Sequence, residues 1–217
     1  DDAIDAVRAE VDHDGWLMVC DTAWPGYTEV PLDIMSGYTT IFHEIEHQHL
    51  FRNSDAPPIT HVLLQAGVGG FAAAGAAWIE QRKQVSSAWD NNVKIIIVEP
   101  EDAACLLENI EARVIKADDL KKCSGATESL MSGLNCGLPS MIAWSILRDV
   151  ADVFVAVGDE WACQALRLLY DKGGVTESGA AGVAALLALH HSNSEFAPGP
   201  DSTVLCISTE ADTDPVG

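Results

Sequence analysis

The sequence predicts an α/β protein with an open, mostly parallel sheet that carries helices on both faces. Two observations lead to this prediction. Short apolar runs alternate with longer helical segments along the 217 residues, which is the pattern of βαβ units. Several of the short runs are apolar throughout, as expected for parallel strands that are covered on both faces.

Each predicted strand is an aliphatic run bounded by polar residues or by residues typical of turns. The predicted strands are 16–20, 61–65, 94–98, 113–116, 152–157 and 204–207. The predicted helices, which are amphipathic or rich in small residues, are 32–49, 70–82, 102–109, 141–149, 160–169 and 178–190. In a doubly wound sheet of this kind, ligands bind at the carboxyl ends of the strands.

The composition narrows the class of protein. A hydrophobic content of 48% excludes wholesale disorder, and a formal net charge of −21 disfavours binding to nucleic acid or to an anionic membrane surface. No apolar run reaches the roughly 18 residues of a membrane-spanning helix. The six cysteines lack the CxxC spacing of metal and redox sites, so we expect reduced thiols in a cytoplasmic protein.

The strongest local motif is HVLLQAGVGGFA at residues 61–72. A strand that enters a helix through Gly67, Gly69 and Gly70 presents backbone N–H groups and a positive helix end to a ligand, most often a phosphate. A glycine-rich turn without a ligand is the alternative. The same letters fit the dinucleotide pattern GxGxxA, but the acidic residue Glu99 follows Gly67 by 32 positions instead of about 20.

A second motif is the HExxH string formed by residues 43–47, which lies on a predicted helix. His43 and His47 would share one helix face and Glu44 could act as the base of a zinc hydrolase. However, Glu46 lies between the two histidines, and no third ligand motif follows. An exposed polar helix face is the alternative interpretation.

Five further strings are short and unusual, and several of them follow predicted strands. They are DTAWPGY at 21–27, MSGLNCG at 131–137, WSILRD at 144–149, ESGA at 177–180 and ISTEADTD at 207–214. Together they resemble the diaminopropionate ammonia-lyase family, whose members are pyridoxal-phosphate enzymes of the tryptophan-synthase-β fold type. The resemblance extends from about Trp16 to Asp214 and implies that fold for this chain.

The resemblance implies pyridoxal 5′-phosphate as cofactor and a role for each matching residue. Asp21 would act as the acid/base that removes the Cα proton, and the glycine loop would hold the cofactor phosphate. Ser208 or Thr209 would meet the pyridine nitrogen. The implied cofactor-binding residues are Gln65, Ala66, Gly67, Val68, Gly69, Gly70, Glu177, Ser208 and Thr209, and no metal site is implied.

The implied reaction is the α,β-elimination of 2,3-diaminopropionate, a small amino acid, to pyruvate and ammonia. The lysine that attaches the cofactor lies upstream of all matched strings in the family, so we expect a C-terminal portion that is inactive alone. Residues 1–30 would belong to the tail of a smaller domain and its crossover, and residues 31–217 to the larger domain. The full-length family implies a homodimer. Other enzymes of the same fold type, such as serine/threonine dehydratases, and a non-catalytic relic remain alternatives.

Overall fold

The computed structural model describes residues 6–7, 16–52, 56–172 and 174–211. Its sheet contains β1 (Ile59–Gln65), β2 (Trp89–Pro100), β3 (Val153–Val157) and β4 (Val204–Cys206). The four strands are parallel and lie in the order β3-β2-β1-β4. The predicted open parallel sheet is therefore confirmed.

Helices connect or flank these strands along the part of the chain that the structure describes. They are α1 (Glu29–Arg52), α2 (Gly70–Arg82), α3 (Cys105–Glu111), α4 (Met141–Val150), α5 (Asp159–Leu169) and α6 (Ala181–His191). Short 3-10 helices lie at Glu101–Ala103, Ala117–Asp119, Ser132–Leu134 and Tyr170–Lys172. None of the described helices is long and apolar enough to cross a membrane.

The sheet separates two apolar cores, because successive side chains of a strand point to opposite faces. Helices α1, α2, α3 and α4 contribute to one core, and helices α5 and α6 contribute to the other. Val62, Leu64, Ile95 and Ile97 lie in the first core, and Leu63, Ile96 and Val98 lie in the second. This arrangement confirms helices on both faces and explains why β1 and β2 contain uninterrupted apolar runs.

Glu46 of α1 binds side chains of α2 and β2 beside the first core. Its carboxylate accepts hydrogen bonds from the Trp78 indole at 3.1 Å and the Trp89 indole at 3.0 Å, and it pairs with Arg82 at 2.7 Å. Burial alone would raise the pKa of Glu46, but these hydrogen bonds outweigh it and lower the pKa to about 2. The charged Glu46 carboxylate thus connects α1, α2 and β2 next to an apolar core.

Two of the predicted strands are absent, and both predictions are wrong for a local reason. Residues 16–20 are irregular, and Trp16 and Leu17 are 66% and 81% exposed, without a neighbouring strand in the described structure. Residues 113–116 form a turn after α3, because Arg113 adopts a left-handed φ of 56° and the Val114 N–H donates to the Asn109 carbonyl at 3.0 Å. Aliphatic composition alone does not make a strand where no pairing partner exists.

Candidate functional site

A cavity of about 1380 Å³ lies beyond the carboxyl ends of β1 and β4. All predicted site residues except Glu177 line it, although they come from three distant segments of the chain. The lining residues among them are Asp21, Gln65, Ala66, Gly67, Val68, Gly69, Gly70, Ser208 and Thr209. The structure therefore brings together what the sequence motifs suggested as one site.

The turn between β1 and α2 needs its glycines because of protein packing. Gly69 has a φ of +94°, a left-handed conformation that other residues adopt only at a cost. A Cβ on Gly67 would lie 2.8 Å from the Cys136 sulfur. By contrast, a Cβ on Gly70 would meet nothing nearer than 3.8 Å. The packing and backbone conformation of the protein thus require glycine at positions 67 and 69, whether or not a ligand binds.

Only some of the backbone N–H groups of this turn are available to bind a ligand. The Ala66 N–H donates to the Val98 carbonyl at 2.8 Å, and the Val68 N–H donates to the Cys136 thiol. Within the described ranges, no acceptor faces the N–H groups of Gly67, Gly69 and Gly70. Any contribution of Ala66 to ligand binding must therefore come from a group other than its N–H.

The turn fits a phosphate group. The three N–H groups that have no acceptor among the described residues precede or begin α2, a helix of 13 residues. The positive end of the helix dipole favours an anion at this place. Phosphate oxygens accept hydrogen bonds and carry the charge that the helix end stabilises. The residues present therefore suit the phosphate of the cofactor that the resemblance implies.

Ser140 joins the glycine turn to the segment that carries Asp21. This fully buried residue donates its N–H to the Val68 carbonyl at 2.9 Å, and its hydroxyl accepts the Ala23 N–H at 3.0 Å. The next residue, Met141, donates its N–H to the Ala23 carbonyl at 3.1 Å. The sequence did not single out Ser140, because a serine before a helix usually indicates only a helix cap.

Asp21 lines the cavity beside two hydroxyl groups. The Thr22 hydroxyl donates to its carboxylate at 3.3 Å. The Tyr38 ring of α1 lines the same cavity, where burial and the nearby charge of Asp21 raise the tyrosine pKa. Asp21 is partly accessible, as a group that exchanges a proton with a small ligand must be.

The opposite wall is organised by Gln65, the last residue of β1. Its side-chain nitrogen donates to the Ile207 carbonyl at 2.8 Å and to the Thr209 hydroxyl at 3.1 Å. The Ser208 hydroxyl donates to the Glu210 carbonyl at 3.2 Å. The two hydroxyl groups that the sequence suggested for the ring nitrogen therefore have different hydrogen-bond partners.

Glu177 does not lie among the described residues that line the cavity, whereas its neighbour Ser178 does. Ser178 is buried, and its hydroxyl accepts the Gly133 N–H at 2.9 Å. That bond connects the ESGA string with the MSGLNCG string across the cavity wall. Cofactor contact through Glu177 stays a prediction, and Ser178 is the member of the string that the structure places at the site.

Glu99 does not support the dinucleotide interpretation. It is fully buried, and its two carboxylate oxygens accept the N–H groups of Leu106 at 2.7 Å and Leu107 at 2.8 Å at the start of α3. Burial raises the pKa of Glu99 to about 7 despite these bonds. A carboxyl group held in this way caps a helix and does not face a ribose.

The HExxH string lies on α1, away from the cavity. His43, Glu44 and His47 are not buried together as zinc ligands would be, and the two histidine rings lie 6.4 Å apart. Among the residues that the structure describes, no group of three or more His, Cys, Asp and Glu side chains could hold a metal ion. The exposed-face interpretation is wrong for Glu46, which is 5% exposed.

Lys122 is a further lining residue that the sequence did not indicate. It is the one lysine, among the described residues, that lines the cavity. Its position in the chain, directly after Lys121 in a polar segment, is typical of a solvated surface lysine. No motif at this point could have distinguished the two.

Comparison with known proteins identifies the fold and the family. The sequence profile of the pyridoxal-phosphate dependent enzymes matches residues 1–210. Diaminopropionate ammonia-lyase of Escherichia coli (strain K12) is 37% identical over 97% of this chain and 53% of its own length. The Salmonella typhimurium enzyme is 35% identical over 99% of this chain and 54% of its own length. The chain thus spans about half the length of these relatives.

Solved structures give the same result. The Escherichia coli diaminopropionate ammonia lyase, in complex with an aminoacrylate-PLP azomethine reaction intermediate, superposes with a TM-score of 0.81 at 35% identity, over 98% of this chain and 54% of that one. A threonine deaminase from T.th. has a TM-score of 0.71 at 24% identity, over 96% of this chain and 66% of that one, and shows the fold alone. The glycine turn suited to a phosphate, the shared parallel sheet and the matching profile agree, and the chain belongs to the pyridoxal-phosphate dependent enzyme family.

Proposed function

We propose that the protein containing this chain converts 2,3-diaminopropionate to pyruvate and ammonia by a pyridoxal-phosphate dependent α,β-elimination. The observation that carries the proposal is that Asp21 and the phosphate-type glycine turn line one cavity and are held together through Ser140. The identity of 37% to diaminopropionate ammonia-lyase supports this choice of substrate.

The chain supplies three of the functions that such a reaction needs. The N–H groups of Gly67, Gly69 and Gly70 bind the cofactor phosphate, and Ser208 or Thr209 holds the ring nitrogen. When bound, pyridoxal phosphate supplies a sink for the electron pair left at Cα. Asp21 takes the Cα proton, as a carboxylate at the edge of the cavity is able to do.

The atoms of the overall reaction balance with one water. Loss of the Cα proton and of the β-amino group as ammonia leaves an enamine, and hydrolysis of that enamine releases pyruvate and the second ammonia. One substrate and one water therefore give one pyruvate and two ammonia. A serine or threonine dehydratase would release one ammonia and a 2-oxo acid, so the stoichiometry distinguishes the two reactions.

The remaining parts of the proposal concern the whole protein. Residues 1–30 belong to the tail of a smaller domain and its crossover, and residues 31–217 to the larger domain, within a homodimeric cytoplasmic enzyme. The lysine that attaches the cofactor lies outside this chain. The isolated chain therefore binds the cofactor reversibly and does not catalyse the elimination.

A titration of the purified chain with pyridoxal phosphate, followed by borohydride reduction and mass spectrometry, tests these statements. We expect pyridoxal phosphate to bind saturably and inorganic phosphate to compete with it. After reduction, no lysine should be specifically labelled. Specific labelling of Lys122, which lines the cavity, would contradict the proposed absence of the attaching lysine. A chain without saturable binding would instead favour the non-catalytic relic.

The activity itself is tested on the protein encoded by the complete reading frame, with pyruvate and ammonia measured in the same sample. We expect two ammonia per pyruvate, and Asp21→Asn should lower kcat at least about 100-fold while pyridoxal phosphate affinity stays within about twofold. Asp33→Asn, an exposed carboxylate of α1 outside the cavity, is the matched control. An Asp21→Asn enzyme with normal kcat would remove Asp21 from the mechanism.

A further inference from the structure

The segment that follows β4 is held in place by few hydrogen bonds. Residues 207–211 form neither helix nor strand, so no ladder of backbone hydrogen bonds fixes their position. On the side of β1, Gln65 donates to the Ile207 carbonyl and to the Thr209 hydroxyl. Residues 208–210 line the cavity. The shape of this wall therefore depends on the side-chain contact that holds its far end.

That contact is made by the Thr176 hydroxyl. The hydroxyl oxygen accepts the Gly179 N–H at 3.2 Å. A backbone N–H can only donate, so the hydrogen of the hydroxyl must point to its other neighbour. This neighbour is the carboxylate oxygen Oε2 of Glu210, at 2.5 Å. The short distance is typical of a hydroxyl that donates to an ionised carboxylate, which is a stronger bond than one between neutral groups.

Backbone contacts do not replace this bond. The Thr176 N–H points at the Glu210 carbonyl oxygen from 3.5 Å, which is beyond the usual length of such a hydrogen bond. The Glu210 carbonyl also accepts the Ser208 hydroxyl at 3.2 Å, but that bond lies within the segment itself. Among the described residues, the Thr176 hydroxyl thus makes the shortest hydrogen bond that joins residues 207–211 to another part of the chain.

Thr176 is itself fixed to the start of α6. Its carbonyl accepts the Ala180 N–H at 2.9 Å. Ala180 and Ala181 are fully buried in the second core, so the turn that carries Thr176 cannot move without disturbing that core. Glu210, by contrast, is exposed. Of the two partners, Thr176 is therefore the fixed one, and the bond determines where Glu210 lies.

The Glu210 carboxylate has room at this place because residue 133 is a glycine. A Cβ on Gly133 would lie 3.2 Å from the Glu210 oxygen Oε1 and 3.1 Å from the Ser178 hydroxyl oxygen. The Gly133 N–H donates to that same hydroxyl at 2.9 Å. The MSGLNCG, ESGA and ISTEADTD strings thus meet around one carboxylate, which Thr176 holds from a position directly before the second of them.

We propose that Thr176 is a positioning residue for the cofactor: its bond to Glu210 holds the segment after β4 at the cavity, so that this wall is in place when pyridoxal phosphate enters. The inference rests on the proposed cofactor function. A protein whose binding-competent arrangement is only partly populated binds its ligand more weakly by that fraction. Loss of the Thr176 bond therefore weakens the binding of pyridoxal phosphate without changing the glycine turn that binds its phosphate group.

The test measures two ligands of the purified chain, pyridoxal 5′-phosphate and inorganic phosphate, the second by competition with the first. Both occupy the glycine turn, but only pyridoxal phosphate extends to the segment after β4. In Thr176→Val we expect the Kd of pyridoxal phosphate to rise about fivefold, the factor for one net hydrogen bond that is partly exposed. The Kd of inorganic phosphate should not change. Thr176→Ser keeps the hydroxyl and should restore the affinity for pyridoxal phosphate.

Glu210→Ala removes the other partner of the same bond and should weaken pyridoxal phosphate as much as Thr176→Val does. The double variant should bind no more weakly than either single variant, because each change removes the same contact. Glu128→Ala, which replaces an exposed carboxylate outside the cavity lining, is the charge control and should bind like the unsubstituted chain. Thermal unfolding curves show whether each variant is folded. If Thr176→Val does not fold, truncation of the exposed Glu210 side chain still decides the question.

Three results would overturn the inference. An unchanged Kd of pyridoxal phosphate in Glu210→Ala would show that the bond does not support the wall. Equal rises in the Kd values of both ligands would show that the variants disturb the whole cavity. Additive effects in the double variant would show that the two side chains act separately. In all three cases the unsubstituted chain still binds pyridoxal phosphate, whereas its failure to bind refutes the proposed cofactor function.

Discussion

Replacement of Glu46 by glutamine tests how much the contacts of this carboxylate with α2 and β2 stabilise the protein. Glutamine keeps the shape of the side chain but cannot carry the charge that pairs with Arg82 at 2.7 Å. The environment lowers the pKa of Glu46 from 4.5 to about 2, and one pKa unit corresponds to about 1.4 kcal/mol. We therefore expect Glu46→Gln to lower the free energy of unfolding by about 3 kcal/mol at pH 7.

The pH dependence follows from the direction of this pKa change. A carboxyl whose pKa is lowered on folding stabilises the protein fully above its ordinary pKa, and that stabilisation disappears as the pH falls through the folded-state value. The difference between the unsubstituted chain and Glu46→Gln should be complete above about pH 5 and roughly halved at pH 3. Below about pH 2 it should vanish.

Urea unfolding at pH 7 and pH 3, followed by tryptophan fluorescence, measures both quantities. Trp78 and Trp89 donate directly to Glu46, so the signal reports on the region that is changed. Glu44→Gln, an exposed carboxylate in the same helix, removes the same charge without the contacts and should change stability by less than about 0.5 kcal/mol. Equal losses in the two variants, or a loss in Glu46→Gln that is independent of pH, would refute the reasoning.

Three further predictions concern the cavity and its support, each checked by equilibrium unfolding. Gly69→Ala should lower the free energy of unfolding by about 1–2 kcal/mol, because Gly69 has a φ of +94° and the new Cβ would lie 3.1 Å from a side chain of α4. Gly70→Ala is the control and should change the free energy of unfolding by less than about 0.5 kcal/mol. Ser140→Ala leaves a buried backbone N–H without its acceptor and should cost about 1–3 kcal/mol, unlike the exposed Ser145→Ala. Because burial raises the pKa of Glu99 to about 7, the free energy of unfolding should fall as the pH rises from about 5 to 7. In Glu99→Gln the free energy of unfolding should no longer depend on pH in this range.

The sequence predicts the central βα unit well because its determinants are local. The apolar run of β1, the glycine turn and the small residues of α2 follow one another without interruption, and α2 has the bounds Gly70–Arg82 that its periodicity predicted. The family-specific strings, in turn, were sufficient to place Asp21, Ser208 and Thr209 at one cavity. These features need no knowledge of distant contacts.

Other features could not be predicted because their partners lie far away in the chain. Ser140 accepts a hydrogen bond from Ala23, which lies 117 residues away. Ala23 belongs to the DTAWPGY string, but nothing in the sequence around Ser140 indicates that it is the partner of that string. Glu46 looked like part of an exposed polar face because the two tryptophans that bury it come from α2 and β2. Periodicity identifies which side of a helix is apolar, but it does not show which polar residue finds partners inside.

The site depends on contacts made by the end of β1 in two directions. On one side the Gln65 side chain holds the segment after β4 through Ile207 and Thr209. On the other side the Val68 carbonyl holds Ser140, and Ser140 in turn holds the segment that carries Asp21. These two sets of bonds share no donor or acceptor, so the segment after β4 and the segment that carries Asp21 are held by separate parts of the structure. Because β1 is buried on both faces and paired on both edges, the two segments are held by a strand that cannot shift without breaking hydrogen bonds to both of its neighbours.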